Sequence, residues 1–509
     1  MSHFIGIDVG TSGTKALVVN DDGKVVGTGT GHHDPDVPRG GWSEQNAEDW
    51  WPSTKAAIES ACRDAGIGPG EIDAIGLTGQ MHGLVALDSK MHPIRPAILW
   101  NDGRCEAQCH QVEERFGIER LVELTGNRML AGFTAPKLLW MREHEPEAFA
   151  RVATVLLPKD WIRYKLSGVA AMDVSDASGT AVFDCRRRTW SDELLAALEL
   201  PRSWWPDAAE SPDVVATVSA EAAAETGLRS GVPIVAGAGD QAASAVGTGL
   251  VNEGTIGAAL GTSGVTFAPT ESWRATPDGT LHAFCHAVPG RWHLMGVMLS
   301  GAGSLDWFRQ AVTPDLADQT DAFEKIEALA DQAPAGAADL LFLPYLSGER
   351  TPHPDANARG GFIGLDRRHD RTHLARAVFE GVTHGLADCL DLVRDTGVEA
   401  EIVRLSGGGM KSRLWKQTCA DLFRTPVVTT TTTEGTAFGA AILAAVGAGR
   451  FSDVPTACTT WIHETERLEP GPNADILADR HAVYAKLYPA LQGLFPEIAG
   501  SASSEGATT

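Results

Sequence analysis

The sequence predicts an α/β protein that is built from two related domains. The chain has 509 residues, which is too many for one compact core and suits two domains of about 250 residues each. The tetrapeptide Gly-Thr-Ser-Gly occurs at 10–13 and again at 261–264, each time between two short apolar runs. Strand-like and helix-like segments also alternate along the chain, which is typical of the α/β class.

The chain opens on a predicted β-hairpin. An apolar run at 4–9 meets the first glycine turn, and a second run at 16–19 ends at the turn signal Asn-Asp-Asp-Gly. The second copy repeats this order, with apolar runs at 256–260 and 265–267 on the two sides of its tetrapeptide. The same order of strand, turn and strand, half a chain length later, indicates an internal duplication.

Three glycines cluster between 247 and 254, just before the second copy begins. A glycine-rich stretch at this position is typical of a connection between domains. We therefore expect a first domain at 1–248, a second domain at 249–495 and a flexible tail at 496–509.

The second half contains a strong helical pattern. Apolar residues between 374 and 393 recur at spacings of three and four, and Gly397 follows as a helix stop. After it the sequence predicts, in order, a strand at 402–405, a glycine loop at 407–409 and helices at 413–423 and 437–446.

Composition argues against several function classes. Acidic residues outnumber basic ones by 66 to 42, giving a formal charge of −24, so we expect no nucleic-acid partner. The sequence has no run of 18 apolar residues and opens without a signal-peptide pattern, so we expect no membrane partner. The eight cysteines are scattered, without a CxxC pair or a zinc-site spacing. Together these features favour a cytoplasmic protein.

Three glycine turns could bind phosphate through their backbone N–H groups: 10–13, 261–264 and 407–409. Hydroxyl groups of the first two turns, and Lys15 close to the first, would add donors and a positive charge. The alternative interpretation is that each segment is only a tight turn. A Walker A loop is not supported, because Met410 stands before Lys411 where that motif needs glycine.

Two aspartates are candidates for chemistry. Asp8 ends the first predicted strand beside a glycine turn, where a carboxylate could hold Mg²⁺ or could simply begin the turn. Asp240 follows an apolar strand and a Gly-Ala-Gly turn, close to the expected domain boundary. It could accept a proton from a hydroxyl that attacks phosphorus, or it could only cap a helix.

The stretch 237–242 also matches G-x-G-x-x-A, the dinucleotide fingerprint of dehydrogenases. That motif needs an acid that ends a second strand about 20 residues later. Glu253 comes too early and lies in a glycine-rich turn, and the duplicated tetrapeptide would remain unexplained. A dehydrogenase is therefore the weaker interpretation.

Three polar and aromatic clusters could bind a polyol: 42–45 (Trp-Ser-Glu-Gln), 80–83 (Gln-Met-His-Gly) and 100–104 (Trp-Asn-Asp-Gly-Arg). Sugars are bound by hydrogen-bonding side chains beside an aromatic or thioether face. The alternative is that Trp42, Trp100 and His82 are ordinary core residues. Three such clusters within the first hundred or so residues favour a polyol site.

With these motifs the chain resembles the FGGY family of carbohydrate kinases over about residues 4–490. Asp-x-Gly-Thr and Gly-Thr-Ser-Gly are typical of actin-like ATPases in general. Gln-Met-His-Gly combined with Trp-Asn-Asp-x-Arg is narrower and indicates the pentulose branch. The resemblance implies a two-domain actin-like, ribonuclease H-like ATPase fold, with duplicated domains around an interdomain cleft.

The resemblance also implies an activity and its site residues. The activity is ATP-dependent phosphorylation of the 5-hydroxyl of D-xylulose, with Mg²⁺, by a sugar-binding first domain and a nucleotide-binding second domain, in a homodimer. The catalytic residues would be Asp240 as general base and Asp8, which is also the metal residue. The sugar would be bound by Met81, His82, Trp100, Asp102, Arg104, Asp240 and Gln241. The nucleotide would be bound by Thr11, Ser12, Lys15, Gly261, Thr262, Asp306, Gly408 and Gly409.

One residue departs from the pattern of the pentulose branch, in which many members carry Asn after the catalytic aspartate. This chain has Gln241, as the glycerol kinase branch does. Glutamine is longer by one methylene and keeps both a donor and an acceptor. Kinases for another pentulose or polyol (ribulose, arabitol, glycerol) therefore stay open, as does a sugar-independent actin-like switch ATPase.

Overall fold

The computed structural model describes residues 2–432 and 434–505. Its strands are β1 His3–Val9, β2 Gly13–Asn20, β3 Val25–His32, β4 Glu44–Gln45, β5 Ala74–Gly79, β6 Val85–Leu87, β7 Ala97–Ile98, β8 Thr154–Leu156, β9 Met172–Asp173, β10 Phe183–Asp184, β11 Thr189–Trp190, β12 Ala208–Ala209, β13 Val214–Thr217, β14 Pro233–Val235, β15 Ala238–Gly239, β16 Thr255–Leu260, β17 Gly264–Thr270, β18 His282–Cys285, β19 Trp292–Met298, β20 Leu341–Leu343, β21 Gly361–Ile363, β22 Ile402–Ser406, β23 Val427–Thr430 and β24 Glu464–Leu468.

The helices are α1 Trp50–Asp64, α2 Glu106–Phe116, α3 Ile118–Thr125, α4 Thr134–His144, α5 Pro146–Phe149, α6 Pro158–Ser167, α7 Val174–Ala177, α8 Asp192–Ala197, α9 Ala220–Thr226, α10 Asp240–Gly247, α11 Gly303–Ala311, α12 Ala322–Ala330, α13 Arg371–Asp395, α14 Arg413–Phe423, α15 Gly435–Gly447, α16 Val454–Trp461, α17 Ala474–Tyr484, α18 Leu487–Leu491 and α19 Phe495–Glu505. Every strand and helix predicted from the sequence is present, and Gly397 follows α13 with a positive φ of 86°.

Two sheets share one order of strands. In the first, β13-β14-β5-β1-β2-β3, the strand before the glycine turn pairs antiparallel with β2 and parallel with β5. In the second, β24-β23-β22-β16-β17-β19, β16 pairs antiparallel with β17 and parallel with β22. The next two pairings also have matching directions in the two sheets. The duplication and the α/β class predicted from the sequence are therefore confirmed.

The chain divides into two compact units that are not contiguous in sequence. The first unit contains Met1–Asn252, Pro269–His293 and Glu434–His463, and the second contains Glu253–Ala268, Leu294–Thr433 and Glu464–Thr509. The boundary predicted at 248/249 falls close to the first of these changes. Most of the tail predicted at 496–509 belongs to α19, and its last four residues lie outside the described part. Within the described residues, no helix has the length and apolar character needed to cross a membrane.

Helix α15 forms the core of the first unit with the central strands. Its residues pack against β1 and β5 through Phe4, Ala74 and their neighbours. The approach is so close that a Cβ on Gly6 would overlap Ala437 O, and one on Gly76 would overlap Ala440 O. The glycines of these strands are therefore required by helix packing, which fixes the strand ends that carry the candidate site.

Replacing Gly76 should reveal this requirement. In Gly76→Ala the new Cβ meets helix backbone that cannot rotate away, so we expect a loss of about 1–3 kcal/mol and a fall in apparent Tm of several degrees. Gly40→Ala is the matched control, because a Cβ there has no neighbour within 4 Å in the described residues. Calorimetry at one scan rate measures both, and equal Tm values for the two variants would contradict the packing account.

Candidate active site

The Gly-Ala-Gly turn positions Asp240 at the edge of the first sheet. Gly237 has a positive φ of 73°, and a Cβ on it would overlap the backbone of Leu77. Ala238 and Gly239 then pair with the end of β5, and Asp240 begins α10. A Cβ on Gly239 would lie 2.9 Å from the sulfur of Met81. Packing therefore explains both glycines of the dinucleotide-like motif.

Asp8 lies in β1, which pairs with β5 on the side opposite to β15. It pairs with Thr78 of β5 and with Lys15 of β2. β5 lies between β1 and β15, and neighbouring strands are about 4.8 Å apart. Asp8 and Asp240 therefore lie close to each other at the same end of these strands. The structure thus brings together the two acids predicted to carry the chemistry.

Burial raises the pKa of both acids, and the charge of Asp8 adds to the effect on Asp240. Burial raises the pKa of Asp8 to about 6, against the opposing charge of Lys15. Burial, followed by the nearby Asp8 charge, raises the pKa of Asp240 to about 7, while hydrogen bonds from Gln241 act in the opposite direction. A carboxyl group with a pKa near neutrality is well matched to accept a proton at physiological pH.

The donor set is also suited to a magnesium ion. The described residues include no group of three or more His, Cys, Asp or Glu side chains that could hold a metal. Mg²⁺ needs no such cage, because it is bound by one or two carboxylates and completes its shell with phosphate oxygens and water. Asp8 has the right ligand chemistry, and a cation there would favour the ionised form of both carboxyl groups.

A network of amide and indole groups holds the first glycine turn. The Thr11 hydroxyl donates to Gln80 Oε1 (3.1 Å) and accepts from Trp100 Nε1 (3.1 Å). Gln45 Nε2 donates to Thr11 O (2.6 Å), and Gln80 Nε2 donates to Gln45 Oε1 (2.9 Å). Ser12 is exposed at the tip of the turn. One member of each predicted polyol cluster, namely Gln45, Gln80 and Trp100, is therefore hydrogen-bonded to this turn.

Lys15 has a partner that the sequence did not indicate. Its ammonium group forms an ion pair with Glu434, and both side chains are about 37% exposed. The residues are far apart in the chain, and a glutamate before a helix is an ordinary surface pattern. Lys15 is thus held beside the first glycine turn, and its predicted contact with phosphate stays a prediction.

Met81 packs against Gly239, the residue before Asp240, and His82 follows it in an unusual backbone conformation. His82 has a φ of 69°, which costs a non-glycine residue roughly 1–2 kcal/mol. Its carbonyl accepts hydrogen bonds from Lys137 Nζ (2.9 Å) and Thr134 Oγ1 (3.1 Å). Its ring stacks on Phe133 with centroids 4.6 Å apart. These contacts keep the strained residue in one orientation.

Lys137 is a fully buried cation that sequence analysis assigned no role. Burial lowers the pKa of its ammonium group to about 7. It also donates to Gly132 O (2.7 Å), so it connects two loops beneath His82. A lysine inside an otherwise apolar helix pattern was the signal that could have identified it.

Asp102 and Arg104 bind each other instead of facing outward. Asp102 is buried and accepts from Arg104 N, Nε and NH2 at 2.7–2.9 Å and from Ser43 N at 2.6 Å. The Arg104 guanidinium also stacks on the Trp42 ring at 3.7 Å. This pair fixes the loop that carries Trp100, whose side chain is 43% exposed. The pair thus supports this loop, and its predicted contact with the sugar stays a prediction.

The second unit contains a cavity that both of its glycine turns line. The β16–β17 turn is closed by a bond from Gly261 N to Ser263 O (3.0 Å), as Gly10 N bonds Gly13 O (3.0 Å) in the first unit. The cavity has a volume of about 450 Å³, which is within the range of ligand pockets. Its lining contains the four predicted residues of these turns together with aromatic side chains: Gly261, Thr262, Gly408, Gly409, Phe323, Phe379 and Trp415.

Asp306 lies next to two residues of this lining, Ala302 and Leu305. It is in the first turn of α11, and its carboxylate accepts from Arg309 Nε (3.0 Å) and Gln310 Nε2 (2.8 Å). It is absent from the described residues that line the cavity. Ala302 N donates to Gly261 O (2.8 Å), and Asp306 N donates to Ala302 O (3.1 Å), so Asp306 is connected to the first glycine turn of this unit through one residue. Its contact with the nucleotide phosphates stays a prediction.

Comparison with known proteins agrees with this geometry. Residues 3–247 match the N-terminal domain of the FGGY family of carbohydrate kinases, and residues 257–448 match its C-terminal domain. The xylulose kinase of Escherichia coli (strain K12) is 44% identical over 449 residues, which cover 87% of this chain and 90% of that protein. The xylulose kinase of Bacillus subtilis (strain 168) is 39% identical, with 92% and 93% covered. The two family matches include every candidate residue.

A solved structure shows the same fold. The ligand-bound xylulose kinase of Lactobacillus acidophilus superposes with a TM-score of 0.92 at 28% sequence identity. The match covers 98% of this chain and 100% of the other. The actin-like architecture that the resemblance implied is therefore confirmed.

The buried carboxyl pair gives a pH-dependent stability effect in the metal-free protein. Asp240 has a folded-state pKa above its unfolded value, so its contribution to stability is lost as pH rises from about 4 towards 7. Asp240→Asn removes this loss. Between pH 5 and pH 8, the free energy of unfolding of the variant should rise by about 2 kcal/mol relative to that of the parent protein. This corresponds to about 4 °C in apparent Tm.

Scanning calorimetry in a chelator at the two pH values measures this gain. Asp192→Asn serves as the control, because Asp192 also begins a helix but is exposed. A difference in Tm between Asp240→Asn and the parent that is the same at pH 5 and pH 8 would contradict the raised pKa.

Proposed function

The chain belongs to the FGGY family of carbohydrate kinases, and we propose that it transfers the γ-phosphoryl group of ATP to xylulose. The observation that carries this proposal is the Asp240 carboxyl, which has a pKa of about 7, lies near Asp8 and follows a turn that Met81 contacts at Gly239. A base at that pKa, next to a polar and thioether surface, is what activation of a sugar hydroxyl requires. The relatives named xylulose kinase support the sugar.

Asp240 acts as the general base. The sugar hydroxyl loses its proton to Asp240 while its oxygen forms a bond to the γ-phosphorus. The bond from that phosphorus to the β,γ-bridging oxygen breaks, so ADP leaves and the sugar carries the phosphate. We assign D-xylulose as the acceptor and its 5-hydroxyl as the nucleophile, giving D-xylulose 5-phosphate.

Sugar recognition is assigned to the surface around Asp240. Met81 supplies a thioether face and His82 a ring that is held rigidly against Phe133. Gln241 follows the base and already bonds it, so its length sets the distance between base and sugar. Trp100 offers an exposed indole next to the first glycine turn. Asp102 and Arg104 support that loop from below.

Nucleotide recognition is assigned to the cavity of the second unit. Backbone N–H groups near Gly261, Thr262, Gly408 and Gly409 would bind the phosphates and the adenosine, since glycine turns let a ligand approach the chain closely. Thr11, Ser12 and Lys15 add donors at the turn of the first unit. In this assignment the first domain binds sugar and the second binds ATP.

Mg²⁺ completes the site in this proposal, with Asp8 as its protein ligand. Its chemistry is to neutralise charge on the transferred phosphoryl group. Lys15 stays beside Asp8 and keeps part of that carboxyl ionised in the absence of the ion. A homodimer, the lack of nucleic-acid and membrane partners and a cytoplasmic location stay predictions.

The first test is sugar-dependent ADP release. With ATP and Mg²⁺ we expect a strong response to D-xylulose in a coupled assay, and weak responses to D-ribulose, L-ribulose, L-xylulose, D-arabitol, xylitol and glycerol. A stronger response to another sugar would move the specificity to Gln241 and its neighbours. ADP release that ignores every sugar would identify a switch ATPase and overturn the proposal.

Replacing the base should separate chemistry from binding. In Asp240→Ala we expect turnover to be almost abolished while the affinities for ATP and D-xylulose change by less than about tenfold, because a general base acts mainly in the transition state. Asp192→Ala is the matched control and should keep full turnover. Normal turnover in Asp240→Ala would remove this residue from its role.

Asp8 should affect the metal requirement instead. Asp8→Ala is expected to raise the Mg²⁺ concentration needed for half-maximal turnover by about tenfold or more, because it deletes the protein ligand. A Mg²⁺ titration at saturating ATP and sugar measures this, and an unchanged requirement would show that Asp8 does not hold the ion.

A further inference from the structure

One buried segment contacts both the turn that carries the base and the proposed sugar-binding histidine. Residues 173–180 comprise the end of β9, α7 and one turn of 3₁₀ helix, and every residue of this segment is buried. Ser175 Oγ accepts a hydrogen bond from Gly239 N (3.1 Å), the backbone group directly before Asp240. Gly179 O accepts from His82 Nδ1 (2.8 Å). The two contacts come from positions four residues apart.

The first contact has a defined direction. Ser175 Oγ donates its proton to Asp173 Oδ2 (2.5 Å), so its lone pairs are left to accept from Gly239 N. Asp173 Oδ2 also accepts from the backbone N–H groups of Ser175 (2.8 Å) and Asp176 (3.1 Å). The hydroxyl is thus held between a fixed carboxylate and the turn that carries the base.

The second contact fixes a tautomer and a position. A carbonyl oxygen can only accept, so the bond to Gly179 O places a proton on His82 Nδ1. A Cβ on Gly179 would overlap the His82 ring and lie 3.1 Å from Met81 Cε. Only glycine therefore lets this backbone approach both sugar-binding residues.

A buried ion cluster anchors the segment. Lys159 Nζ lies 2.7 Å from Asp160 Oδ1, 2.7 Å from Asp173 Oδ1 and 3.0 Å from Asp176 Oδ2, and all four side chains are fully buried. Arg163 NH1 bonds Asp160 Oδ1 at 2.8 Å, and Arg163 NH2 bonds Ala236 O at the end of β14. The cluster therefore connects α6 with the segment and with the strand that leads to Asp240.

The ion pairs of this cluster join two cations to three carboxyl groups. Burial raises the pKa of Asp176 well above its usual range, and the charge of Lys159 opposes this shift. Buried charges are tolerated in proteins only when they are paired and hydrogen-bonded. Such a cluster has one favourable arrangement, which makes the segment a rigid reference for the residues that it contacts.

We propose that the segment 173–180 positions both halves of the sugar site, with Ser175 holding the base and Gly179 holding the sugar-binding histidine. Both are positioning residues, since neither touches the reacting atoms. This inference rests on the proposed kinase function. It predicts that two substitutions on one short segment change different kinetic parameters.

Three variants test it with the full-length protein in the ADP-release assay. Ser175→Ala should lower kcat about tenfold or more while KM for D-xylulose changes less than about threefold. The reason is that Asp240 would no longer be held in the position that the transition state requires. Gly179→Ala should raise KM for D-xylulose about tenfold or more with a smaller effect on kcat. KM for ATP should stay within about twofold in both.

Ser178→Ala is the matched control. Ser178 is equally buried, and its hydroxyl accepts from a backbone N–H, that of Cys285 (3.1 Å), and donates to Val174 O (2.7 Å). It should lose as much apparent Tm as Ser175→Ala and keep its kcat. A similar fall of kcat in both serine variants would reduce Ser175 to a structural role and overturn the inference.

The remaining outcomes are also decisive. If Ser175→Ala does not fold, Ser175→Cys keeps the side-chain shape with a weaker acceptor, and its kcat should fall while its KM does not. Unchanged kcat in the folded Ser175 variant, or unchanged KM in Gly179→Ala, would contradict the proposal. Absence of sugar-dependent ADP release in the parent protein would contradict the kinase function itself, which the parent assay reveals separately.

Discussion

Two carboxyl groups of like charge, half-buried at one edge of the first sheet, are the constraint on which the site depends. Asp8 and Asp240 would repel each other less in water, and burial makes each harder to ionise. The fold keeps them there through strand pairing, through the tight turn at Gly237 and through the compensating groups Lys15 and Gln241. A site that is unfavourable for stability in this way is typical of catalytic centres, where function sets the pKa.

The surroundings of this pair are rigid for identifiable reasons. Glycines let α15 lie directly on β1 and β5, so the strand ends cannot shift without breaking the core. His82 remains left-handed because Lys137 and Thr134 bind its carbonyl. The ion cluster around Lys159 then ties α6 to the turn before Asp240. Preorganisation of this kind lets binding energy go into the reaction instead of ordering the site.

The sequence predicted the fold well because its signals are local. Apolar periodicity and turn residues identified the strands and helices, and the repeated Gly-Thr-Ser-Gly identified two sheets of the same order. It predicted poorly whatever joins distant residues. The partner of Lys15 is Glu434, which is far away in the sequence. The sequence also does not reveal that Lys159 is buried among three carboxylates. The spacing of Asp102 and Arg104 could not reveal that their two charges bind each other.

The central claim is that this site moves a phosphoryl group from ATP to a sugar oxygen. The most direct measurement is ³¹P NMR of a reaction that contains the protein, ATP, Mg²⁺ and D-xylulose. The account predicts that the γ-phosphate signal disappears and is replaced by a phosphomonoester that couples to the hydrogens on carbon 5 of the sugar. Conversion of the γ-phosphate to inorganic phosphate, with the sugar unchanged, would contradict it.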